Sequence, residues 1–319
     1  MKISDIEQID IFLTSSSFEE RCFTIINEIE KNELIPSSTF IFYNDNEVRS
    51  IVDNAQTLSI KLPNSELVNL NSDTPTANYI KIRKLLFGLA QNEKTLSILI
   101  DITTFTHETL LIILKILHLI RQNISKIYLT YSGAKEYSTA DKKNEDKWLS
   151  KGIKDIRNII GYPGFHDRMR TNHLIILFGF EFERTVSLIE KFEYDILSLG
   201  FCDEQTAIAS GHFKINRDRH LKLLDKYQNS NQFIFSLTNP LKTKDEILEH
   251  ITKFDLNGAN TVIAPMNNKI STIGVGLSAF QNPNIQLVYA KPLIYNTSNY
   301  SIPNNKIYVN EIDLKNHSV

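Results

Sequence analysis

Two polar segments in the first half of the chain carry residue types that bind phosphate or ribose. Ser15-Ser16-Ser17, with Arg21 close behind, follows the apolar run 9–13, and the segment 101–107 follows another apolar run. Hydroxyl and guanidinium groups at the start of a helix add to the backbone N–H groups and the helix dipole, which already favour anions. We therefore predict that a phosphate-bearing ligand contacts Ser16, Ser17, Arg21, Thr103, Thr104 and Thr106.

The second half offers a similar set of groups behind its own apolar runs. The predicted contacts there are Glu183, Arg184, Asn267, Asn268, Lys269 and Ser271. Lys269 stands out because a lysine in the first turn of a helix opposes the helix dipole, so local stability does not account for it. For each serine and threonine the alternative is helix capping, which Thr106 followed by Glu108 illustrates.

These segments recur at a nearly constant separation. Glu20-Arg21 and Glu183-Arg184 lie 163 residues apart, and the same offset aligns 100–106 with 263–269. Tyr131 and Tyr137 match Tyr289 and Tyr295 at an offset of 158. Four matches in one order predict an internally duplicated unit. Tyr131 and Tyr289 are placed to stack on a base from opposite walls, with packing in the core as the alternative.

Short apolar runs alternate with helical periodicity in both halves. The first half predicts strands at 8–14, 39–44, 57–62, 96–102 and 126–131, with helices at 18–32, 76–91 and 107–122. The second predicts strands at 173–179, 195–199, 232–237, 260–265 and 285–290, with helices at 182–193, 216–227, 243–254 and 270–281. Continuously apolar strands alternating with helices are typical of parallel sheets. We predict an α/β fold with two similar Rossmann-like lobes, in which ligands bind at the carboxyl ends of the strands.

Between the lobes the composition changes. Residues 1–136 are assigned to the N-terminal lobe, 137–172 to a charged connector and 173–319 to the C-terminal lobe, closed by a short strand near 306–309. The basic residues of the connector suggest either an arm that contacts phosphates or a solvated face, and the interleaved Asp155 and Asp167 favour the solvated face. These basic residues are Lys151, Lys154, Arg157, Arg168 and Arg170.

Bulk properties narrow the functional classes. A net charge of −2 gives no general attraction to nucleic acid, and two cysteines cannot build a disulfide framework. The sequence shows no membrane-spanning run and no signal peptide, so we expect a cytoplasmic protein without membrane contact. Glycine-rich cofactor loops, Walker loops and metal motifs are absent, which predicts no cofactor and no metal site and favours a non-catalytic protein. The enzyme alternative is an acid–base pair of Asp101 and His107.

Residues 267–279, Asn267-Asn268-Lys269 followed by a helix of small residues, resemble the CRISPR-associated Rossmann-like (CARF) ligand-binding domains. That family carries a lysine at the corresponding turn, which maps to Lys269, with Ser271 and Thr272 as nearby hydroxyls. This chain has Asn267-Asn268 where the family has Gly-Thr, and its first half lacks the lysine. The duplication looks like the two-lobe fusion of the SAVED type. The resemblance implies binding of a nucleotide or oligonucleotide messenger and a role in antiviral defence.

The leading hypothesis is a sensor or regulatory protein that recognises a phosphate-bearing, nucleotide-type ligand between two lobes. The first alternative is an enzyme that processes a nucleotide or nucleic acid with Asp101 and His107. The second is a non-catalytic subunit that docks onto an effector protein. Assembly into a homo-oligomer is compatible with each of these hypotheses.

Overall fold

The computed structural model describes residues 1–44, 48–91, 95–144, 146–208 and 210–315, without the side chains of Ser210 and Asn305. The chain forms two compact units. The first contains Met1–Ala134 together with the segment that begins at Ile302, and the second contains Lys135–Ser301.

The first unit is built on one six-stranded sheet. Its strands are β1 (Ile11–Ser15), β2 (Ser38–Asn44), β3 (Ser65–Leu70), β4 (Leu96–Asp101), β5 (Ile124–Tyr137) and β12 (Ser301–Ile312). Its helices are α1 (Thr24–Lys31), α2 (Arg49–Lys61), α3 (Pro75–Leu89) and α4 (His107–Leu119). The strand order is β12-β5-β4-β1-β2-β3, and the neighbours from β5 to β3 are parallel.

The second unit is built on another six-stranded sheet. Its strands are β6 (Ser150–Pro163), β7 (Asn172–Leu177), β8 (Ile196–Cys202), β9 (Asn231–Phe235), β10 (Asn260–Pro265) and β11 (Gln286–Tyr295). Its helices are α5 (Phe182–Ile189), α6 (Ser210–Lys226), α7 (Pro240–Lys253) and α8 (Lys269–Gln281). The strand order is β6-β11-β10-β7-β8-β9, in which only the β6–β11 pair among the described pairs is antiparallel.

The two sheets have the same plan. When β1 is matched to β7, both parallel cores run in the Rossmann order, with the first strand between the second and the fourth. The apolar runs behave as expected for strands covered on both faces, since every residue of β1 is buried. The α/β fold class and the two similar Rossmann-like lobes are confirmed.

One predicted strand is wrong. Residues 57–62 were expected to be extended, yet they fall largely in α2, where Ile51, Ala55 and Leu58 are buried at helical spacing. The third strand is β3 at the edge of the sheet, where only Val68 and Leu70 are buried. A half-exposed edge strand lacks the continuous apolar run by which the other parallel strands were recognised.

The expected lobe boundaries differ from the observed ones at two places. Residues 150–163, assigned to the solvated connector, form β6 and pair antiparallel with β11. The last strand, β12, was expected to close the second lobe, yet it lies beside β5 in the first sheet. Charged residues are common both on the exposed face of an edge strand and in a linker, so the composition of 150–163 did not distinguish a strand from a linker. No helix in the described part of the chain combines the length and apolar character needed to cross a bilayer.

Candidate functional site

The carboxyl ends of β1 and β4 form the topological switch point of the first unit. The two strands are neighbours, with Leu13 beside Ile100, and their connections lead to opposite sides of the sheet. Ser15 ends β1 and Asp101 ends β4, so the segments predicted to bind phosphate do converge. A crevice at such a point is where open α/β sheets commonly bind ligands.

Asp101 is fully enclosed at this point. Its side chain is 0 % exposed and accepts hydrogen bonds from the Thr103 backbone N–H at 3.1 Å and the Thr14 hydroxyl at 3.4 Å. The Thr103 hydroxyl also donates to Asp101 and accepts from the Ser132 N–H at 3.0 Å. Burial raises the pKa of Asp101 from 3.8 to about 6, while the bonds from Thr103 and Thr14 and the charge of Arg21 oppose that rise.

We expect Asp101→Asn to stabilise the protein at pH 7.5. The folded-state pKa lies above the unfolded value, so the charged carboxylate destabilises the fold as pH rises from about 4 to 6, by up to about 3 kcal/mol. Urea unfolding should show a higher midpoint for the variant at pH 7.5 and a smaller difference near pH 4. Asp53→Asn, at an exposed position on α2, is the control. A lower midpoint for Asp101→Asn at pH 7.5 would contradict this account.

An acid–base role for Asp101 with His107 does not fit this geometry. His107 is the first residue of α4 and is half-buried. General acid–base catalysis requires the carboxyl group to come within hydrogen-bond reach of a substrate. The Asp101 side chain has no exposed surface through which a substrate could approach.

The predicted hydroxyl contacts of the first unit hold its own loops. The Ser16 hydroxyl donates to the Ile51 carbonyl and the Thr104 hydroxyl to the Ser15 carbonyl, each at 2.6 Å. Ser17 accepts from the Glu19 N–H, and Thr106 accepts from the N–H of Thr109 as the N-cap of α4. The capping alternative therefore explains Thr106, and Ser17 stabilises a local turn. Ser16 and Thr104 instead join segments that are distant in the sequence.

The two repeated arginines make the same bond in their own units. Arg21 donates to the carbonyl oxygen of Ser132 at 3.0 Å, and Arg184 donates to that of Ala290 at 2.9 Å. Ser132 and Ala290 directly follow the matched tyrosines, Tyr131 and Tyr289. Each arginine thus ties the segment after the first strand to the fifth strand of its unit. Both tyrosine side chains are buried within their own units.

The second switch point is closed by its own backbone. The Asn267 amide donates to the Phe178 carbonyl, and a side chain at Gly179 would collide with the Met266 carbonyl oxygen. Asn268 caps α8 by accepting from the Ser271 N–H at 2.9 Å, and the Ser271 hydroxyl donates back to the Asn268 carbonyl. Lys269 is the first residue of α8, and Glu183 is exposed in the first turn of α5.

A cavity of about 450 Å³ lies in the second unit between α6 and strands β8 and β9. Its aromatic lining residues are Phe178, Phe201, Phe213 and Phe233. The polar and charged ones are Asn216, Arg217, His220, Gln232 and Glu204, and Cys202 and Ile234 complete the lining. Phe178 and Cys202 place the cavity near the carboxyl ends of β7 and β8, the side of the sheet on which ligands bind in this fold.

Two polar atoms of this cavity have no hydrogen-bond partner among the described residues. They are Asn216 Oδ1, on a side chain that is 7 % exposed, and His220 Nε2. Burial lowers the pKa of His220 from 6.5 to about 4, so the imidazole is neutral at pH 7. Buried polar groups are nearly always satisfied, so two on one wall are a marked exception. No described residues form a group of three acidic, histidine or cysteine side chains suited to a metal.

Sequence reasoning missed this wall. The spacing of eight residues between His212 and His220 fits a metal pair poorly and favours a surface position for both, and the predicted helix begins only at 216. Positions 213, 216, 217 and 220 follow the spacing of one helical face, and α6 in fact begins at Ser210. Extending the helix by six residues would have placed Phe213 on the same face as Asn216.

Comparisons with known proteins add little. No family model and no curated protein matches the chain. Among solved structures, it is similar to the cytoplasmic domain of a prokaryotic cation chloride cotransporter, with 8% identity and a TM-score of 0.28. The match covers 92% of this chain and 99% of that one. A likeness at this score supports no conclusion about fold or function.

Proposed function

We propose that this protein is a ligand-binding regulatory protein whose second unit takes up a small molecule with a flat ring system. The observation that carries the proposal is the pair of unpartnered polar atoms, Asn216 Oδ1 and His220 Nε2, on the wall of the cavity. At about 450 Å³ the cavity has a size typical of small-molecule sites.

The free energy of hydrogen bonding favours an occupant. A buried acceptor without a partner costs about 1–3 kcal/mol, which a ligand donor facing Asn216 would recover. The Phe201 ring is already stacked on His220, whereas the partly exposed Phe213 ring provides a stacking surface for a flat ring. The combination of stacking walls and a few hydrogen-bonding groups suits a heteroaromatic ring better than an aliphatic chain.

A nucleotide meets these requirements in three parts. The base would occupy the cavity with an exocyclic amine facing Asn216, the pairing that amide side chains make with bases. Glu204 would accept from a ribose hydroxyl, and Arg217, whose residue is exposed, would face the phosphate. The role in defence signalling and the cytoplasmic location suggested by the sequence remain part of this proposal.

Titration calorimetry with the 5′-monophosphates of adenosine, guanosine, cytidine and uridine tests the proposal. We expect wild type to bind at least one of them and Asn216→Leu, which keeps the branched shape but removes the acceptor, to bind it about tenfold more weakly. Lys269→Ala is the matched comparison, because it tests the site first predicted at α8. Unchanged affinity in Asn216→Leu with lost affinity in Lys269→Ala would move the site to α8 and overturn the cavity assignment.

A further inference from the structure

A short segment before β6, residues 146–149, is held at both ends by charged side chains of the second unit. We call this segment the strap. The Arg219 guanidinium donates to the Lys147 carbonyl oxygen. The Glu181 carboxylate accepts from the N–H groups of Leu149 at 2.9 Å and Ser150 at 2.8 Å. Arg219 also donates to the Phe180 carbonyl and lies 4.1 Å from the centre of the Phe180 ring.

Helix α6 contributes to both the strap contact and the cavity. Asn216 and His220 line the cavity, whereas the neighbouring residues Ile215 and Arg219 contact the strap side. Ile215 belongs to a small apolar cluster with Leu149 and Phe180. Any movement of α6 relative to the sheet therefore changes the cavity wall and the anchor of the strap together.

Neutral hydrogen bonds also hold the strap, since the Asn296 amide donates to the Trp148 carbonyl and the Asn296 backbone N–H to the Leu149 carbonyl. The bonds of Arg219 and Glu181 are charge-assisted and therefore the stronger members of this set, so losing one of them weakens the attachment of the strap. The chain passes between the two units twice, and the strap follows the first of these passages.

We infer that occupancy of the cavity is coupled to the strap through α6, so that a bound ligand holds Arg219 against Lys147 and keeps the strap fastened. This inference rests on the proposed function, because it assigns a regulatory output to the same cavity. The occupant stabilises the helix position in which Asn216 and His220 face the sheet. In the same helix position, Arg219 donates to the Lys147 carbonyl of the strap.

The strap contains a tryptophan and a trypsin cleavage site, which both allow its release to be measured. Trp148 is the single tryptophan of the chain. Its backbone N–H donates to the Ser138 hydroxyl at 3.0 Å, and the Lys151 ammonium lies 5.1 Å from the centre of the indole ring. The Lys147–Trp148 bond is a trypsin site whose carbonyl is held by Arg219, so its cleavage should be faster when the strap is released. Tryptophan emission and tryptic cleavage at this bond therefore both measure release.

Trypsin cleavage after Lys147 tests the strap contact without a ligand. We expect Arg219→Gln to be cleaved about tenfold faster than wild type, with red-shifted tryptophan emission, because the charge-assisted bonds of Arg219 to the carbonyls of Asn144, Lys147 and Phe180 are lost. Asn216→Leu, which removes the unpartnered acceptor from α6, should slow cleavage. Lys222→Gln, at an exposed position on the same helix, is the control and should match wild type. Equal cleavage rates for Arg219→Gln and wild type would overturn the inference.

Adding the four nucleoside 5′-monophosphates separates the inference from the proposed function. Binding heat together with slower cleavage supports both. Binding heat with an unchanged cleavage rate overturns the coupling and leaves the proposed function standing. Absence of binding heat, with slower cleavage in Asn216→Leu, supports the coupling and contradicts the nucleotide assignment.

Discussion

Lowering the pH from 6.5 toward 4 is expected to destabilise the second unit steeply, because two buried imidazoles must take up protons. His173 on β7 and His250 on α7 both place Nε2 at 2.8 Å from the hydroxyl of Ser198, and all three side chains are buried. Ser198 has one hydroxyl proton, so it satisfies both rings when one Nε2 accepts and the other donates.

The sign and size of the effect follow from the pKa values. Burial lowers the pKa of both histidines from 6.5 to about 4; the His250 ring adds to the effect on His173, and the Lys253 charge adds to that on His250. Between these pH values the unfolded chain binds more protons, so stability falls as pH falls, by up to about 3 kcal/mol for each ring. Asp101 in the first unit has the opposite dependence.

Urea unfolding at pH 7, 6 and 5, followed by a probe in the second unit, measures this slope. His173→Gln with His250→Gln should be less stable at pH 7 and should lose most of this pH dependence. The remainder comes from His220, whose pKa is also lowered to about 4 by burial. His166→Gln, at an exposed position of the same unit, should keep the wild-type slope. Parallel pH profiles for wild type and the double variant would show that other groups govern the acid sensitivity.

Replacing Arg21 by leucine is expected to lower the free energy of unfolding by about 3–5 kcal/mol, because one member of a buried ion pair then stays behind without its partner. The Arg21 and Glu19 side chains are 4% and 8% exposed and lie 2.6 Å apart. The variant would leave the Glu19 carboxylate without its cation and the Ser132 carbonyl without its donor. Thermal or urea unfolding of the first unit measures the loss.

A second variant distinguishes the charge effect from lost packing. When Glu19→Leu is added to Arg21→Leu, both charges disappear, so the double variant should recover a large part of the stability. Arg21→Lys keeps the charge but loses the fork geometry and should fall between wild type and Arg21→Leu. A double variant no more stable than Arg21→Leu would indicate that packing around Tyr131, rather than an uncompensated charge, determines the loss.

Sequence patterns predicted the parallel strands well because burial on both faces leaves continuous apolar runs. The matched tyrosines agree with the predicted duplication, since Tyr137 and Tyr295 are the last residues of β5 and β11, although both lie beyond the predicted strand ends at 131 and 290. Phosphate binding was predicted for the repeated Arg21 and Arg184, whereas the structure shows each of them donating to a carbonyl oxygen of its own unit. The guanidinium group recurs in both units because the carbonyl group that accepts its hydrogen bond also recurs. The sequence shows the arginine donor but not which carbonyl accepts.

The features that escaped prediction depend on contacts between distant segments. Polar strands such as β6 become strands only because β11 offers its edge, which local composition does not reveal. The cavity depends on how far α6 lies from β8 and β9, a distance set by tertiary packing. His220 therefore looked like an ordinary surface residue until its neighbours were known.

The return of β12 to the first sheet makes the second unit an insertion within the first rather than its successor. A fragment cut near the middle of the chain would keep the pairing of β5 with β4 but lose β12, so one edge of β5 would be unpaired and prone to self-association. Laboratory separation should therefore excise 135–301 as one piece and rejoin the flanking segments with a flexible tether. The same nesting implies that the first unit cannot complete its sheet during synthesis until the whole of the second unit has been translated.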